Sequence, residues 1–255
     1  MKTPGEAILQ DLVGENRLLR RMLDILIPPR CLGCRTVVAE DGALCPSCWS
    51  EVSFISPPQC KICGLPFTVD PGGEAICGAC SARRPAFGRA RAVFLYDEGG
   101  RRLVLDYKHR DRTHGAAFFA KWIVRAAPDL CADADVIVPV PLHWSRLFKR
   151  GYNQSALVGR ALGKITETPY EPMVLKRIRR TISQVGLSGD ARKRNVAGAF
   201  SVSAKGPEKL DGKRVLLVDD VLTTGATVEG CAKVLRKAGA SGVDVVTLAR
   251  VSRSD

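Results

Sequence analysis

The chain has 255 residues, which is enough for one full hydrophobic core and a smaller module. Its net charge of +13 comes entirely from residues 89–255, which contain 30 basic and 17 acidic side chains. This surplus favours an anionic ligand such as a phosphate compound or a nucleic acid. No apolar run approaches the roughly 18 residues that span a bilayer, and no signal-peptide core is present, so we exclude a membrane span and expect a cytoplasmic protein.

The first predicted element is an amphipathic helix over 8–27, which makes up most of an N-terminal segment, 1–27. Acidic and basic residues interrupt its apolar positions every few residues. Such a pattern is typical of a helix with one apolar face. We therefore expect this helix to pack on the body of the protein or on a partner.

Four C-x2-C pairs follow within residues 28–84 and use eight of the ten cysteines. Two residues between cysteines form a turn that presents both thiolates to one ion, and two such turns complete a tetrahedral zinc site. Because no secretory signal favours disulfides, the spacing predicts a double zinc ribbon with two structural zinc ions. The predicted ligands are Cys31, Cys34, Cys45, Cys48, Cys60, Cys63, Cys77 and Cys80.

The spacing leaves two pairings of these turns open. Sequential pairing joins the first turn with the second and the third with the fourth, whereas cross-braced pairing joins the first with the third and the second with the fourth. Ribbons of this kind often contact nucleic acids or proteins, but zinc also replaces a core that a short segment lacks. Residues 1–88 carry as many acidic as basic side chains, which favours a structural role.

A second domain over 88–255 is predicted from alternating strand and helix patterns. Near-continuous apolar runs are typical of strands buried in a parallel sheet, whose ligands bind at the carboxyl ends of the strands. The predicted strands cover 90–97, 134–142, 171–181, 197–203, 213–220 and 242–251. The predicted helices cover 99–110, 115–127, the later part of 145–165, and 227–239.

The stretch VLLVDDVLTTGAT, residues 215–227, carries the strongest signal in this domain. It places Asp219 and Asp220 at the carboxyl end of a buried strand, followed by a loop of small residues that leads into a helix. Backbone N–H groups in such a loop, together with the helix N-terminus, suit a phosphate. The carboxylates instead suit vicinal hydroxyls, so the stretch predicts a site for a ribose 5-phosphate.

This stretch resembles the phosphoribosyl-pyrophosphate (PRPP) motif of the type I phosphoribosyltransferases over its whole length. The resemblance implies that Asp219 and Asp220 bind the ribose 2′- and 3′-hydroxyls. It also implies that the 5-phosphate lies in the loop formed by Thr223, Thr224, Gly225, Ala226 and Thr227. Mg²⁺ would bind together with PRPP, held largely by oxygens of PRPP and by water.

Two basic loops complete this resemblance. In PVPLHWSRLFKRGYNQ, the side chains of Arg146, Lys149 and Arg150 would face the pyrophosphate. In QVGLSGDARKRNVAGAF, the mobile catalytic loop of the family would place Arg192, Lys193 and Arg194 over the departing pyrophosphate. Together with the cysteine pairs, these segments resemble the ComF family of double zinc-ribbon, phosphoribosyltransferase-like proteins, which are associated with competence and DNA uptake.

The acceptor of the phosphoribosyl group is not specified by the sequence, because no segment has a recognisable pocket for a base. Three hypotheses follow. The first is a phosphoribosyltransferase of unknown acceptor. The second is a non-catalytic protein that senses PRPP or binds single-stranded DNA, since residues 146–194 carry 12 basic and three acidic side chains. The third is a scaffold whose zinc module recruits DNA-uptake or recombination proteins.

Overall fold

The structure is a computed structural model that describes residues 28–73, 75–109, 115–179 and 194–252. The helix predicted over 8–27 lies outside the described residues. The described residues form two compact units that divide between Ser50 and Glu51. The boundary predicted after residue 84 stays a prediction, although the third and fourth cysteine pairs belong to the larger of these two units.

The smaller unit contains the first two cysteine pairs. Helix α1 (Pro46–Ser50) carries the second pair's final cysteine, Cys48, which is buried. An antiparallel bridge between Arg30 and Val37 brackets the turn of the first pair. This short segment therefore obtains its order from a turn, a bridge and a single helical turn grouped around the thiols.

The larger unit is built on a four-stranded parallel sheet, as the apolar runs predict. Its strands are β1 (Ala90–Leu95), β2 (Val136–Pro139), β5 (Arg214–Leu222) and β6 (Gly242–Arg250). The strand order is β1-β6-β5-β2, and each neighbouring pair is parallel. Strand β5 is buried through its apolar run because both of its faces are covered.

A separate two-stranded sheet pairs β3 (Leu175–Arg177) with β4 (Phe200–Val202) in antiparallel orientation. The helices of this unit are α2 (Gly78–Ala82), α3 (Glu98–His109), α4 (Gly115–Ala126), α5 (Pro128–Ala132), α6 (Trp144–Arg150), α7 (Gln154–Thr166), α8 (Gly206–Leu210) and α9 (Ala226–Lys237). None of the helices within the described ranges is long and apolar enough to cross a membrane.

Several predicted bounds differ from the observed ones for local reasons. The helix predicted over 115–127 ends at Ala126, and Pro128 begins the short helix α5, since proline fits the first turn of a helix. The strand predicted over 134–142 shortens to β2, which ends at Pro139. Beyond it the Val140 N–H still donates to the carbonyl oxygen of Val218 (2.8 Å), so the chain stays beside β5.

The core continues from the sheet into the second half of the cysteine module. Cys60, Cys77 and Cys80 belong to the same apolar cluster as β5 residues and helix α9, with Cys60 fully buried. Burial of apolar surface is the main force that holds such elements together. The second ribbon is therefore part of the body of the α/β domain.

Candidate functional site

The cysteines form two quartets whose geometry fits zinc. Within each quartet the sulfur atoms all lie within 4.8 Å of one another. Sγ–Sγ separations are 3.5 Å for Cys34 and Cys45 and 3.7 Å for Cys63 and Cys77. A tetrahedron with Zn–S bonds of about 2.3 Å has edges of about 3.8 Å, far longer than a disulfide bond. The observed grouping is sequential, so the cross-braced alternative is wrong.

Local hydrogen bonds favour the thiolate form that a metal requires. The hydroxyl and backbone of Thr36 lower the pKa of Cys34 to about 6. Burial acts to raise the pKa of Cys60, but backbone N–H donors, that of Cys77 first among them, outweigh it and lower this pKa to about 7. Each quartet thus holds one thiol whose pKa is lowered, whereas burial first, and neighbouring cysteines after it, raise the pKa of Cys48, Cys77 and Cys80 while no metal is bound.

The acid pair lies at the carboxyl edge of the parallel sheet, where the sequence predicts it. Asp219 and Asp220 are half-buried residues in the last part of β5. Asp219 Oδ1 accepts hydrogen bonds from the Ser155 hydroxyl (3.3 Å) and from the Asp220 N–H (2.9 Å). Because the strands are parallel, the ends of β2 and β6 lie at this same edge, which is where α/β sheets bind ligands.

The loop after the acid pair turns sharply into α9. Gly225 adopts a left-handed conformation (φ +79°) directly before Ala226, the first residue of this helix. The Thr224 hydroxyl oxygen is buried and has no hydrogen-bond partner among the described residues. A buried polar atom of this kind needs a partner, and a phosphate held by the loop would supply one.

The neighbouring connection, from β2 to α7, is fixed by the side chain of Asn153. Asn153 Nδ2 donates to the Val140 carbonyl oxygen (3.0 Å), while Asn153 Oδ1 accepts from the Ser155 N–H (3.1 Å) and caps α7. This cap places the Ser155 hydroxyl beside Asp219. Sequence reasoning missed Ser155, although an Asn before a helical pattern is a recognisable cap signal.

Tyr107 is a second residue near the site that the sequence prediction missed. It is buried in helix α3, and its hydroxyl donates to the Gln154 carbonyl oxygen at the start of α7 (3.3 Å). Burial raises the pKa of Tyr107, and the charges of Tyr152 and Asp220 raise it further. Tyr107 therefore remains a neutral donor close to the acid pair.

The predicted pyrophosphate residues fall on helix α6, directly after the edge of β2. Arg146, Lys149 and Arg150 all lie in this helix, which His143 caps by accepting from the Ser145 N–H (3.3 Å). Among the predicted catalytic residues, Arg194 is exposed in the structure. The other two, Arg192 and Lys193, lie outside the described residues.

Comparisons with known proteins agree with this architecture. The double zinc ribbon domain matches residues 22–81, and the phosphoribosyl transferase domain matches residues 162–254. Competence protein F of Haemophilus influenzae is 32% identical over 228 residues, which cover 87% of this chain and 96% of that protein. DNA utilization protein YhgH of Escherichia coli is 30% identical over 233 residues, which cover 89% of this chain and 99% of that protein.

The chain belongs to the ComF family. This confirms the predicted combination of a double zinc ribbon with a type I phosphoribosyltransferase fold. Among solved structures, glutamine PRPP amidotransferase from B. subtilis is similar over 56% of this ComF chain and 30% of its own length. With 24% identity and a TM-score of 0.38, that likeness adds no argument about function.

Proposed function

We propose that this ComF protein binds PRPP with Mg²⁺ at the carboxyl edge of its parallel sheet. The single observation that supports this most is the half-buried pair Asp219 and Asp220, followed five residues after Asp220 by the left-handed turn at Gly225. The carboxylates accept hydrogen bonds from the ribose 2′- and 3′-hydroxyls. The loop 223–227 and the N-terminus of α9 bind the 5-phosphate.

The reaction that suits such a site is phosphoribosyl transfer. A nucleophile forms a bond to C1 of the ribose as the C1–oxygen bond to pyrophosphate breaks, and the electron pair leaves with pyrophosphate. Mg²⁺ would offset charge on the diphosphate when bound. Basic residues of α6 and of the segment around Arg194 then stabilise the departing anion, while the acid pair holds the sugar in place. The acceptor is left open.

The biological setting that we propose is natural competence and DNA uptake. The support is the names of the two relatives, Competence protein F and DNA utilization protein, which align with nearly all of their own length. A phosphoribosyl site and a DNA-related role are compatible, because both require a surface that binds phosphates.

The first test is a calorimetric titration with PRPP and Mg²⁺. Replacing both acids, Asp219→Asn with Asp220→Asn, removes the charged acceptors with little change in shape, and we expect binding to fall at least tenfold. A matched control is Glu208→Gln, an exposed acid on α8 that precedes the opposite end of β5. Equal affinity in all three proteins would discard the site, as would the absence of binding by the unaltered chain.

A second candidate function is binding of single-stranded DNA on helix α6. Trp144 and Phe148 are four positions apart on this helix, and their exposed fractions are 66% and 86%. Exposed aromatic side chains among basic residues can stack bases while cations contact the backbone. This role requires neither the acid pair nor turnover.

Fluorescence anisotropy with a labelled oligothymidylate tests this second function. We expect Trp144→Ala combined with Phe148→Ala to weaken binding at least about thirtyfold, because base stacking contributes on the order of 1–3 kcal/mol per base and two stacking side chains are removed. Met173→Ala removes an equally exposed apolar side chain elsewhere and serves as the control. Unchanged binding in the double variant would exclude α6 as the DNA surface.

A further inference from the structure

The second cysteine quartet and the predicted phosphate loop line one small cavity of about 200 Å³. Its lining includes three of the quartet's cysteines, the beginning of the loop, several apolar side chains and three charged ones. The cysteines are Cys63, Cys77 and Cys80, the loop residues are Thr223, Thr224 and Gly225, the apolar residues include Leu65, Phe87 and Leu222, and the charged residues are Arg83, Glu229 and Arg250.

Two arginines connect the ribbon to the elements on either side of the loop. Arg250, at the end of β6, donates through Nη1 to the carbonyl oxygen of Cys63. Arg83, directly after α2, forms an ion pair with Glu229 in the first turn of α9. The loop joins β5 to α9, and β5 pairs with β6, so both arginine contacts act on elements that carry the loop.

The burial of Arg250 has an electrostatic explanation in the zinc centre. Only 3% of Arg250 is exposed, and its Nε atom has no hydrogen-bond partner. A buried cation is costly unless an opposite charge lies nearby. One zinc ion with four thiolates carries a net charge of about −2, and Arg250 contacts the peptide of one of these ligands.

We propose that zinc in the second quartet holds the phosphate loop in its ligand-binding form, with Arg250 as the positioning residue. The ion would fix the ribbon. Through Arg250 and the Arg83–Glu229 pair, the ribbon then restrains β6 and α9. The loop between β5 and α9 is thereby preorganised. This inference rests on the proposed function for its ligand. It also predicts that the loop loses order when Arg250 is replaced, and hydrogen–deuterium exchange measures this without any ligand.

The test compares Arg250→Met, Arg250→Lys and a control, Arg30→Met. Arg30 is an exposed arginine that donates to a backbone carbonyl, that of Arg35 in the first ribbon (3.3 Å), so its replacement removes a similar bond. Zinc per chain is counted by native mass spectrometry, and the rate of zinc transfer to a coloured chelator is followed. Affinity is measured by titration with ribose 5-phosphate.

For Arg250→Met we expect two zinc ions, one of which is released about tenfold faster, since residues that support metal ligands change metal affinity 10- to 100-fold. Affinity for ribose 5-phosphate falls about tenfold in the same variant. Because Arg250→Lys keeps the charge, it should restore much of the slow zinc release and of the ribose 5-phosphate affinity. Arg30→Met should leave both the affinity and the rate of zinc release from the second quartet unchanged. Unchanged zinc release and affinity in a folded Arg250→Met protein would overturn the proposal.

Hydrogen–deuterium exchange of the segment 222–227 separates this proposal from the proposed function. If the unaltered protein does not bind ribose 5-phosphate, the proposed function fails, but the loop is still measured. Faster exchange there in Arg250→Met and in a zinc-ligand variant, Cys77→Ser, than in Arg30→Met supports the coupling. Equal exchange in all of these proteins contradicts it, and Arg250→Met decides alone if Cys77→Ser does not fold.

Discussion

At the scale of single residues, Asp219 is positioned by a helix that is distant in sequence. The hydroxyl of Ser155, in the first turn of α7, donates to its carboxylate (3.3 Å). We expect Ser155→Ala to weaken PRPP binding about fivefold, since a hydrogen bond of this kind contributes about 1 kcal/mol. Calorimetry measures the affinity, and thermal melting checks that the fold is intact. An affinity equal to that of the unaltered protein would show that Asp219 needs no such support.

Asp244 offers a residue-scale test of stability at the opposite edge of the sheet. Its carboxylate is 1% exposed and accepts from Arg89 Nη2 (2.7 Å) and Arg214 Nη1 (2.9 Å). Its hydrogen bond, and secondly that of Asp133, raises the pKa of Arg89 despite the desolvation of the guanidinium. We expect Asp244→Ala to lower the free energy of unfolding by about 2 kcal/mol, because Arg214 and the Arg89 backbone N–H lose a buried acceptor while Arg89 keeps Asp129 and Asp133 as partners.

Urea denaturation measures this loss. PRPP affinity should stay unchanged, since Asp244 lies near the beginning of β6, away from the carboxyl edge. A loss below about 1 kcal/mol would mean that the ion pairs are replaced by water at little cost.

The sequence predicts some of these residues and not others for a physical reason. Asp219 and Asp220 are recognisable because a local pattern, an apolar strand followed by acids and a small-residue loop, reflects local chemistry. Ser155 and Tyr107 are not, since their roles depend on contacts made across the sheet edge. A single sequence carries the pattern of each segment but no measure of the distance between them.

At the scale of elements, the turn between β5 and α9 depends on a glycine. Gly225 has φ +79°, and an added Cβ would meet no atom closer than 3.9 Å, so alanine there would cause backbone strain without a clash. We expect Gly225→Ala to lower the free energy of unfolding by about 1 kcal/mol. We also expect it to weaken PRPP binding, because the strained backbone distorts the loop.

Gly212 provides the matched control for this turn. It also has a positive φ (+66°), has open space around its Cβ position, and lies between α8 and the start of β5. Gly212→Ala should therefore cost a similar amount of stability and leave the affinity unchanged. Equal affinities in the two variants would show that the conformation at Gly225 does not matter for the ligand.

The elements were predicted well where periodicity and length agree. The long strands β5 and β6 and the helix α9 match their patterns because buried parallel strands are rich in apolar residues and an amphipathic helix is apolar on one side. The orientation of the β3–β4 pair was not predictable. Two short strands have too few residues to indicate whether they join the main sheet or pair with each other.

At the scale of the whole molecule, the cysteine quartets predict two zinc ions per chain. Native mass spectrometry of the purified protein counts them, and a single ion or an iron cluster would contradict the prediction. Because Cys60, Cys77 and Cys80 belong to the core of the α/β domain, we also expect removal of both ions by a chelator to lower the melting temperature of that domain. An unchanged melting temperature would contradict that role.

The incorporation of the second ribbon into the α/β domain could not be predicted. Regular spacing predicts a module of four similar turns, and the sequence gives no reason to divide it. The second ribbon joins the α/β domain through contacts between residues that are far apart in the chain, such as Arg250 with Cys63 and Arg83 with Glu229. Contacts of this kind arise from the packing of complete elements and leave no periodic pattern in either segment.

The most direct test of the central claim compares ribose 5-phosphate with 2-deoxyribose 5-phosphate by calorimetry. If Asp219 and Asp220 accept hydrogen bonds from the sugar hydroxyls, the unaltered protein should bind the ribose compound at least tenfold more tightly, since hydrogen bonds to charged groups contribute about 1.5–3 kcal/mol. The doubly altered protein, Asp219→Asn with Asp220→Asn, should lose most of this preference. Equal binding of both sugars by the unaltered protein would contradict the assignment of the acid pair to the ribose.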